Sequence, residues 1–497
     1  GVALELAIVL RSGKYCPDYV AVLGTNEFAD SNLHRFCLVI QCLEPKMLQR
    51  VLTVVCDAEL GVVAICHVIP NRAVQMYNLN YSIEMLLRRP RGINNETRLG
   101  RMGREMDFRE TEEQGMIREM VRDFAESVLA PTCLERDKAQ QPPLEEWRAF
   151  CEQSGLQGIT IPEDYGGSPV DDISEAIIVE ELARVDPSFS VMFCVHVGLC
   201  SKTIALHGND EQKQKYLSRL AGSEIGAYSL SEAGAGTDAA ALGCKAKLNE
   251  DGSHYVLNGE KMWVTNGASA DIYVLFAKDV DHPEYGQKKH GGTTAFIVER
   301  GFEGFSVGKK EDKLGIRSSD TCSLLLEDCK VPVENILKDS GEGFPIAMNA
   351  LDNSRIGIAA QALGIAQGAY EAALNYAHER VAFGKPIAHH QSVGNYLADM
   401  ATRTEAARMM VYKAAWAKQR HYEDAAPRHT KEASMAKLFA GDTAMWVSER
   451  AVQVLGGYGY TTDFPVERFF RDAKITQIYE GTQEVQKIVI NRSIAPE

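Results

Sequence analysis

The sequence is poor in the patterns that would give it away cheaply. Its twelve cysteines form no CxxC pair or other zinc-like spacing, which argues against a zinc module and for a reduced compartment. No GxxxxGK[ST] loop occurs. The glycine-rich stretches lack the third glycine and the strand-turn-helix setting of a dinucleotide fingerprint. Positive charge is in deficit, with 53 Lys+Arg against 68 Asp+Glu and a net charge of −15. That balance excludes nucleic acid or an anionic lipid surface as a partner for the whole molecule. No apolar run reaches the roughly 18 residues that cross a bilayer, so no membrane span is expected. The opening "ELAIVLRSGKY" is broken by Arg11 and Lys14, and it has no secretory-signal pattern. His196, His389 and His390 have no partner pattern for a metal, so no metal site is expected.

What is present is an average globular composition, 45% hydrophobic and 24% charged, over 497 residues. That length suits about three domains at roughly 150 residues each. Residues 1–105 stand apart, with 12 Lys+Arg against 10 Asp+Glu and five of the twelve cysteines. "RVLTVVCDAELGVVAICHVI" reads as strands and "LLRRPRGINNETRLGRMGRE" as a basic linker. This leader is unassigned: an appended domain, or a translated upstream segment, since a credible start lies at Met106.

From Met106 the pattern is helical to about residue 227. "TEEQGMIREMVRDFAESVLAP" opens on Thr111 with Glu113 or Gln114 behind it and stops at Pro131. "PPLEEWRAFCEQSG", "DISEAIIVEELARVD" and "NDEQKQKYLSRLA" continue it, with Asp171-Asp172 as a helix start. Residues 228–340 change to strands: an Asn-Gly turn divides "SHYVLNGEKMWVTNGASADIYVLFAKD", and "TTAFIVERGFEGFSVG" reads as a hairpin. Residues 341–497 return to long, alanine-rich helices of the kind that form a bundle and face other subunits.

Candidate chemistry is scattered along the chain. "KMWVTNG" places Trp263, Val264 and Thr265 at a strand end, where an indole could cover a flat ring and a hydroxyl could bond its edge. The bland alternative is a buried core tryptophan. "DNSRIG" puts Asp352 and Arg355 at i and i+3 on one helix face. "ERVAFGKPIAHHQ" sets Arg380, Phe383 and Gln391 after a helix. "SEAGAGTD" and "LGGYGYTTD" are glycine-rich loops. "QIYEGTQEVQ" isolates one carboxylate, Glu480, before a Gly-Thr pair.

Taken in order, these motifs resemble the acyl-CoA dehydrogenase family over about Met106 to the C-terminus. "YSLSEAGAGTD" is similar to its first signature and "QVLGGYGYTTDFPVERFFRDAKITQIYEGT" to its second. The resemblance implies an α+β multidomain fold: an α-helical N-terminal domain (106–227), a central β-barrel-like domain (228–340) and a C-terminal four-helix bundle (341–497). It implies bound FAD. Leu230 and Ser231 would approach the flavin ring, with Trp263, Val264 and Thr265 covering it. Arg380, Phe383 and Gln391, with Gln453, Gly456 and Gly457, would hold the rest of the cofactor from a neighbouring subunit, and Thr482 and Glu484 would end its contacts. Thr237, Asp352, Arg355 and Gly481 would meet the acyl-CoA. A site shared between subunits implies a homotetramer, and an electron-transfer flavoprotein is the implied acceptor. The implied compartment is a bacterial cytoplasm, with the mitochondrial matrix as the alternative.

The chemistry asks for a base. Oxidising an acyl thioester between Cα and Cβ needs removal of a weakly acidic Cα proton, and one carboxylate can do this if the thioester oxygen is hydrogen-bonded. In some branches of the family the base sits just before the DxxR arginine. That position here is Ser354, which leaves Glu480. The texture is nearest the short-chain, butyryl-type members. An enoyl-CoA reductase, an acyl-CoA oxidase and an inactive acyl-CoA-binding scaffold are the alternatives.

Overall fold

The computed structural model describes residues 109–495 and, ahead of them, six strands: β1 (Ala7–Leu10), β2 (Tyr19–Gly24), β3 (Arg35–Gln41), β4 (Leu52–Asp57), β5 (Val62–His67) and β6 (Gln75–Asn78). They pair in chain order as an antiparallel meander within a unit of their own, Gly1–Glu105. The strand reading of residues 50–69 thus becomes β4 and β5; the linker at 86–105 lies outside the described residues.

The second unit, Met106–Glu497, begins with helices α1 (Glu112–Phe124), α2 (Cys133–Ala139), α3 (Leu144–Ser154), α4 (Asp172–Val185), α5 (Pro187–Cys194), α6 (Lys202–His207) and α7 (Asp210–Leu220). The start signals work as local chemistry requires. Gln114 N–H donates to Thr111 Oγ1 at 3.2 Å and the Gln114 side chain returns to the Thr111 N–H at 3.0 Å, which satisfies two orphan donors. Asp171 caps α4 by accepting from the N–H groups of Ile173 and Ser174.

Pro187–His207, which is α5, a π-helical stretch (Val195–Ser201) and α6, has the length and mean hydropathy, 1.6, of a membrane-crossing helix. Its apolar window is 83% buried inside the protein. The run is apolar on all sides because protein surrounds it, as in a core helix.

The middle region holds β7 (Gly226–Ser229), β8 (Lys245–Leu248), β9 (His254–Thr265), β10 (Ile272–Asp279), β11 (Thr293–Glu299), β12 (Phe305–Lys310) and β13 (Thr321–Pro332). They form one seven-stranded sheet ordered β11-β10-β8-β9-β13-β12, with β7 on β10. Two hairpins read from the sequence are therefore absent. β11 and β12 lie at opposite ends of the order, because β11 is buried on both faces beside β10 while half-exposed β12 pairs with β13. β9 and β10 are joined by the Asn266-Gly267 turn but do not pair. Buried Asn266 donates instead to the carbonyls of Met192 and Gly226, at 3.0 and 3.1 Å.

The chain ends in α8 (Gly343–Glu379), α9 (Gln391–Asp424), α10 (Thr430–Leu455), α11 (Val466–Ala473) and α12 (Gln483–Ile494). Alanine and glycine let the long helices approach closely: a Cβ on Gly364 or Gly368 of α8 would stand 2.3 or 2.2 Å from carbonyl oxygens of α4 and its last turn. α8 is thereby fixed against α4, with β9 ending nearby, and the site forms among them.

Candidate active site

Glu480 lies in the turn between α11 and α12 and is half-buried. Its φ is +54° and that of Gly481 is +87°, two successive residues in the left-handed region. Glycine accepts that conformation freely, while a non-glycine residue held there costs about 1–2 kcal/mol and needs support. The support comes from side chains on the main-chain carbonyls. Gln486 Nε2 donates to Glu480 O at 3.1 Å and to Gly481 O at 2.9 Å, and buried Lys437 donates to Gly481 O at 2.7 Å.

The Glu480 carboxylate faces a cavity of about 30 Å³, with Thr265, Ser354, Gly357, Ile358 and Tyr479 on its walls. Ser354 Oγ–H donates to Glu480 Oε2 at 2.6 Å. Burial pushes the Glu480 carboxyl above its ordinary value, while the Ser354 hydrogen bond and the charges of Arg355 and Lys437 pull the other way. Lys437 is brought down to about 8 by burial, against the opposing pull of Glu480. Among the described residues, nothing accepts from the Glu480 N–H. A carboxylate and a free backbone donor therefore come from one residue, as proton removal next to a thioester carbonyl requires.

The Ser354 bond carries a testable consequence. Ser354→Ala removes a donor to the charged form, so the Glu480 pKa rises further and the carboxylate is present only at higher pH. The acid limb of kcat/KM should move upward in pH by a measurable fraction of a unit, with the alkaline limb unchanged. An unmoved acid limb would mean that Ser354 does not act on the base.

Asp352 and Arg355 form the expected i, i+3 pair at 2.8 Å, and both are buried. Asp352 Oδ2 also receives Thr430 Oγ1 at 2.6 Å and Arg428 Nη2 at 3.3 Å, while Arg355 Nε reaches the Glu480 carbonyl at 3.4 Å. Trp263 is 52% exposed, which rejects the buried-core alternative, and it sits at φ +56° beside buried Val264. Its exposed indole next to Thr265 on the cavity wall fits a flat ring with polar edges. Leu230 and Ser231 are held to β9: Lys261 Nζ donates to Leu230 O at 3.0 Å and Met262 N–H to Ser231 O at 2.9 Å.

The remaining predicted residues fall elsewhere. Arg380 and Gly457 line a second, open cleft of about 430 Å³ with Tyr376, Val454 and Tyr458. Phe383, at φ +53°, is 97% exposed. Gln391, Gln453, Gly456 and Thr237 are exposed, as is Glu484; Thr482 caps α12. Among the described residues no group of His, Cys, Asp and Glu is arranged for a metal ion. His196 is buried between Gly226 N–H and Gln157 O, at 3.0 and 3.2 Å, with its pKa lowered to about 4 by burial.

Family models for the acyl-CoA dehydrogenase N-terminal, middle and C-terminal domains match residues 111–224, 227–329 and 341–495. The chain belongs to the acyl-CoA dehydrogenase family. It is 50% identical to the short-chain specific acyl-CoA dehydrogenase of Clostridium acetobutylicum, over 78% of this chain and 100% of that protein. It is 45% identical to the acryloyl-CoA reductase (NADH) of Anaerotignum propionicum, over 79% of this chain and 96% of that one. The solved butyryl-CoA dehydrogenase of Megasphaera elsdenii superposes with a TM-score of 0.74 and 46% identity, covering 78% of this chain and 100% of its own. The family architecture of two helical domains around a curled sheet is thus confirmed over residues 111–495.

Residue order alone does not single out Lys437, Gln486, Glu175 and Lys418. Gln486 closes the QIYEGTQEVQ stretch, but its role on the turn carbonyls shows only in the fold, and Lys418 and Glu175 meet across 243 positions of sequence. Ser354 was read only as a place where a base is missing, although its contact with Glu480 follows from the same comparison.

Proposed function

We propose that this protein oxidises short, saturated acyl-CoA thioesters to trans-2-enoyl-CoA, using bound FAD and passing electrons to an electron-transfer flavoprotein in a bacterial cytoplasm. The observation that carries the reading is Glu480, whose carboxylate and unpartnered N–H sit at a cavity walled by Thr265 and flanked by exposed Trp263. Solved members of the family hold FAD or its reduced form. Here Leu230, Ser231, Trp263, Val264 and Thr265 would hold its ring. Arg380, Phe383, Gln391, Gln453, Gly456 and Gly457 of a neighbouring subunit would take its far end, with Thr482 and Glu484 closing the contacts. Bound there, the flavin supplies a hydride acceptor for the substrate Cβ.

The chain's own residues supply the rest. Glu480 Oε2 is engaged by Ser354, which leaves Oε1 to take the Cα proton. The Glu480 N–H bonds the thioester oxygen and stabilises the charge that develops on it. Asp352, Arg355, Thr237 and Gly481 position the acyl-CoA. A homotetramer would cover the exposed ring of Phe383. The division at 106–227, 228–340 and 341–497, with 1–105 as a separate leader, is part of this reading.

Anaerobic bleaching of the flavin with a ladder of unbranched acyl-CoAs should be fastest near C4 and slower by at least about tenfold at C12. A maximum at C12, or with a branched substrate, rejects the short-chain assignment. The similarity to an acryloyl-CoA reductase favours one second reading, the same half-reactions run in reverse. Rates in both directions, with and without electron-transfer flavoprotein, separate the two.

A further inference from the structure

The cavity that Glu480 faces has a second carboxylate in its wall. Glu175, on α4, lines it together with Val191, Val195 and Leu199. The residue is only 7% exposed. Its Oε2 accepts from Lys418 Nζ at 2.8 Å, and Lys418, itself buried, also contacts Asp172 Oδ1 at 2.8 Å. Burial alone would lower the Lys418 pKa; Asp172 and Glu175 more than offset this and raise it. The pair is therefore a fixed feature of the cavity floor.

The other oxygen, Oε1, points to the side of the cavity formed by the π-helical stretch, where a Cβ on Gly198 would come no closer than 3.8 Å. No hydrogen bond to it from another described residue is present. Oε1 thus has no protein donor among the described residues and opens onto the cavity, so it is free to accept from a ligand's donor. Cys194 lies within electrostatic reach of both Glu175 and Glu480, which places the two carboxylates around one thiol and one cavity.

We propose that Glu175 Oε1 receives a hydrogen bond from the far end of the acyl group, so that the site takes short acyl-CoAs carrying a terminal hydroxyl. This rests on the dehydrogenase reading and narrows its substrate class. Apolar Val191, Val195, Leu199 and Ile358 accept the methylenes, and Glu175 accepts the O–H. A longer alkyl chain meets the ion pair instead, which it can neither displace nor satisfy.

Pentanoyl-CoA and 4-hydroxybutyryl-CoA test this, since their acyl groups have equal heavy-atom counts and differ only in methyl against hydroxyl at the end. Their kcat/KM ratio is compared for the flavin-loaded wild type, Glu175→Leu and Glu175→Gln. Lys418 keeps Asp172 as a partner in both variants. Calorimetric binding of the unreactive S-pentyl and S-(4-hydroxybutyl) thioethers of coenzyme A is measured alongside. Relative to wild type, the preference for the hydroxyl ligand should fall by about tenfold or more in Glu175→Leu, and also fall in Glu175→Gln, in both measurements. The same ratio in wild type and Glu175→Leu would overturn the proposal. If no thioester, butyryl-CoA included, bleaches the flavin, the dehydrogenase reading fails, and the thioether ratio still decides the role of Glu175.

Discussion

Replacing Glu480 by glutamine leaves a yellow, folded protein that binds acyl-CoA, and substrate reduces its flavin at least about 10²- to 10⁴-fold more slowly. Glutamine keeps the shape of the side chain and can still meet Ser354, but it accepts no proton. Among the described residues the cavity offers one other carboxylate, Glu175, and Lys418 engages it. Stopped-flow bleaching under anaerobic conditions reads the rate directly. Near-normal bleaching would move the base elsewhere, and loss of FAD would make Glu480 a structural residue. The substitution also changes stability in a defined direction. The folded-state pKa of Glu480 is raised above its ordinary value of 4.5. Its contribution is therefore full below that value and is lost as pH rises through the folded pKa. Glu480→Gln should flatten this slope, so the variant gains stability relative to wild type as pH increases, as thermal melts across that range would show.

Asp352→Ala should be the most destabilising single change near the site, by about 3–5 kcal/mol, because it leaves Arg355 charged, buried and without its carboxylate. Thr430 loses its acceptor as well. Arg355 then has no fixed position from which to reach the Glu480 carbonyl, so the turn that aims the base loosens. A lower melting temperature together with lower kcat is the expected result. A variant as stable as wild type, altered only in KM for acyl-CoA, would show instead that Asp352 serves the ligand and not the fold.

Much of this was legible from residue order alone, because it rests on short-range rules. Thr111 and Gln114 lie three apart and cap α1 wherever that helix is placed. Asp352 and Arg355 meet because a helix brings i and i+3 together. Trp263, Thr265 and Glu480 were found by residue type, and the structure places Thr265 and Glu480 on one cavity. What failed was long-range. Which strand neighbours β11 depends on how the whole sheet curls, and the sequence near residues 293–310 carries no record of it. Lys437 and Gln486 were invisible because they act on main-chain carbonyls, which every residue has. Glu175 and Lys418 each look like a surface charge until the fold brings them together.

The contact between Ser354 and Glu480 has a meaning for ancestry. Two side chains from unrelated stretches of chain, one mid-helix and one in a tight turn, end within 2.6 Å of each other. A carboxylate at either position would therefore reach much the same point in the cavity. A lineage could pass the carboxylate from one to the other through a doubly acidic intermediate, with the helix, the turn and the substrate path left as they are.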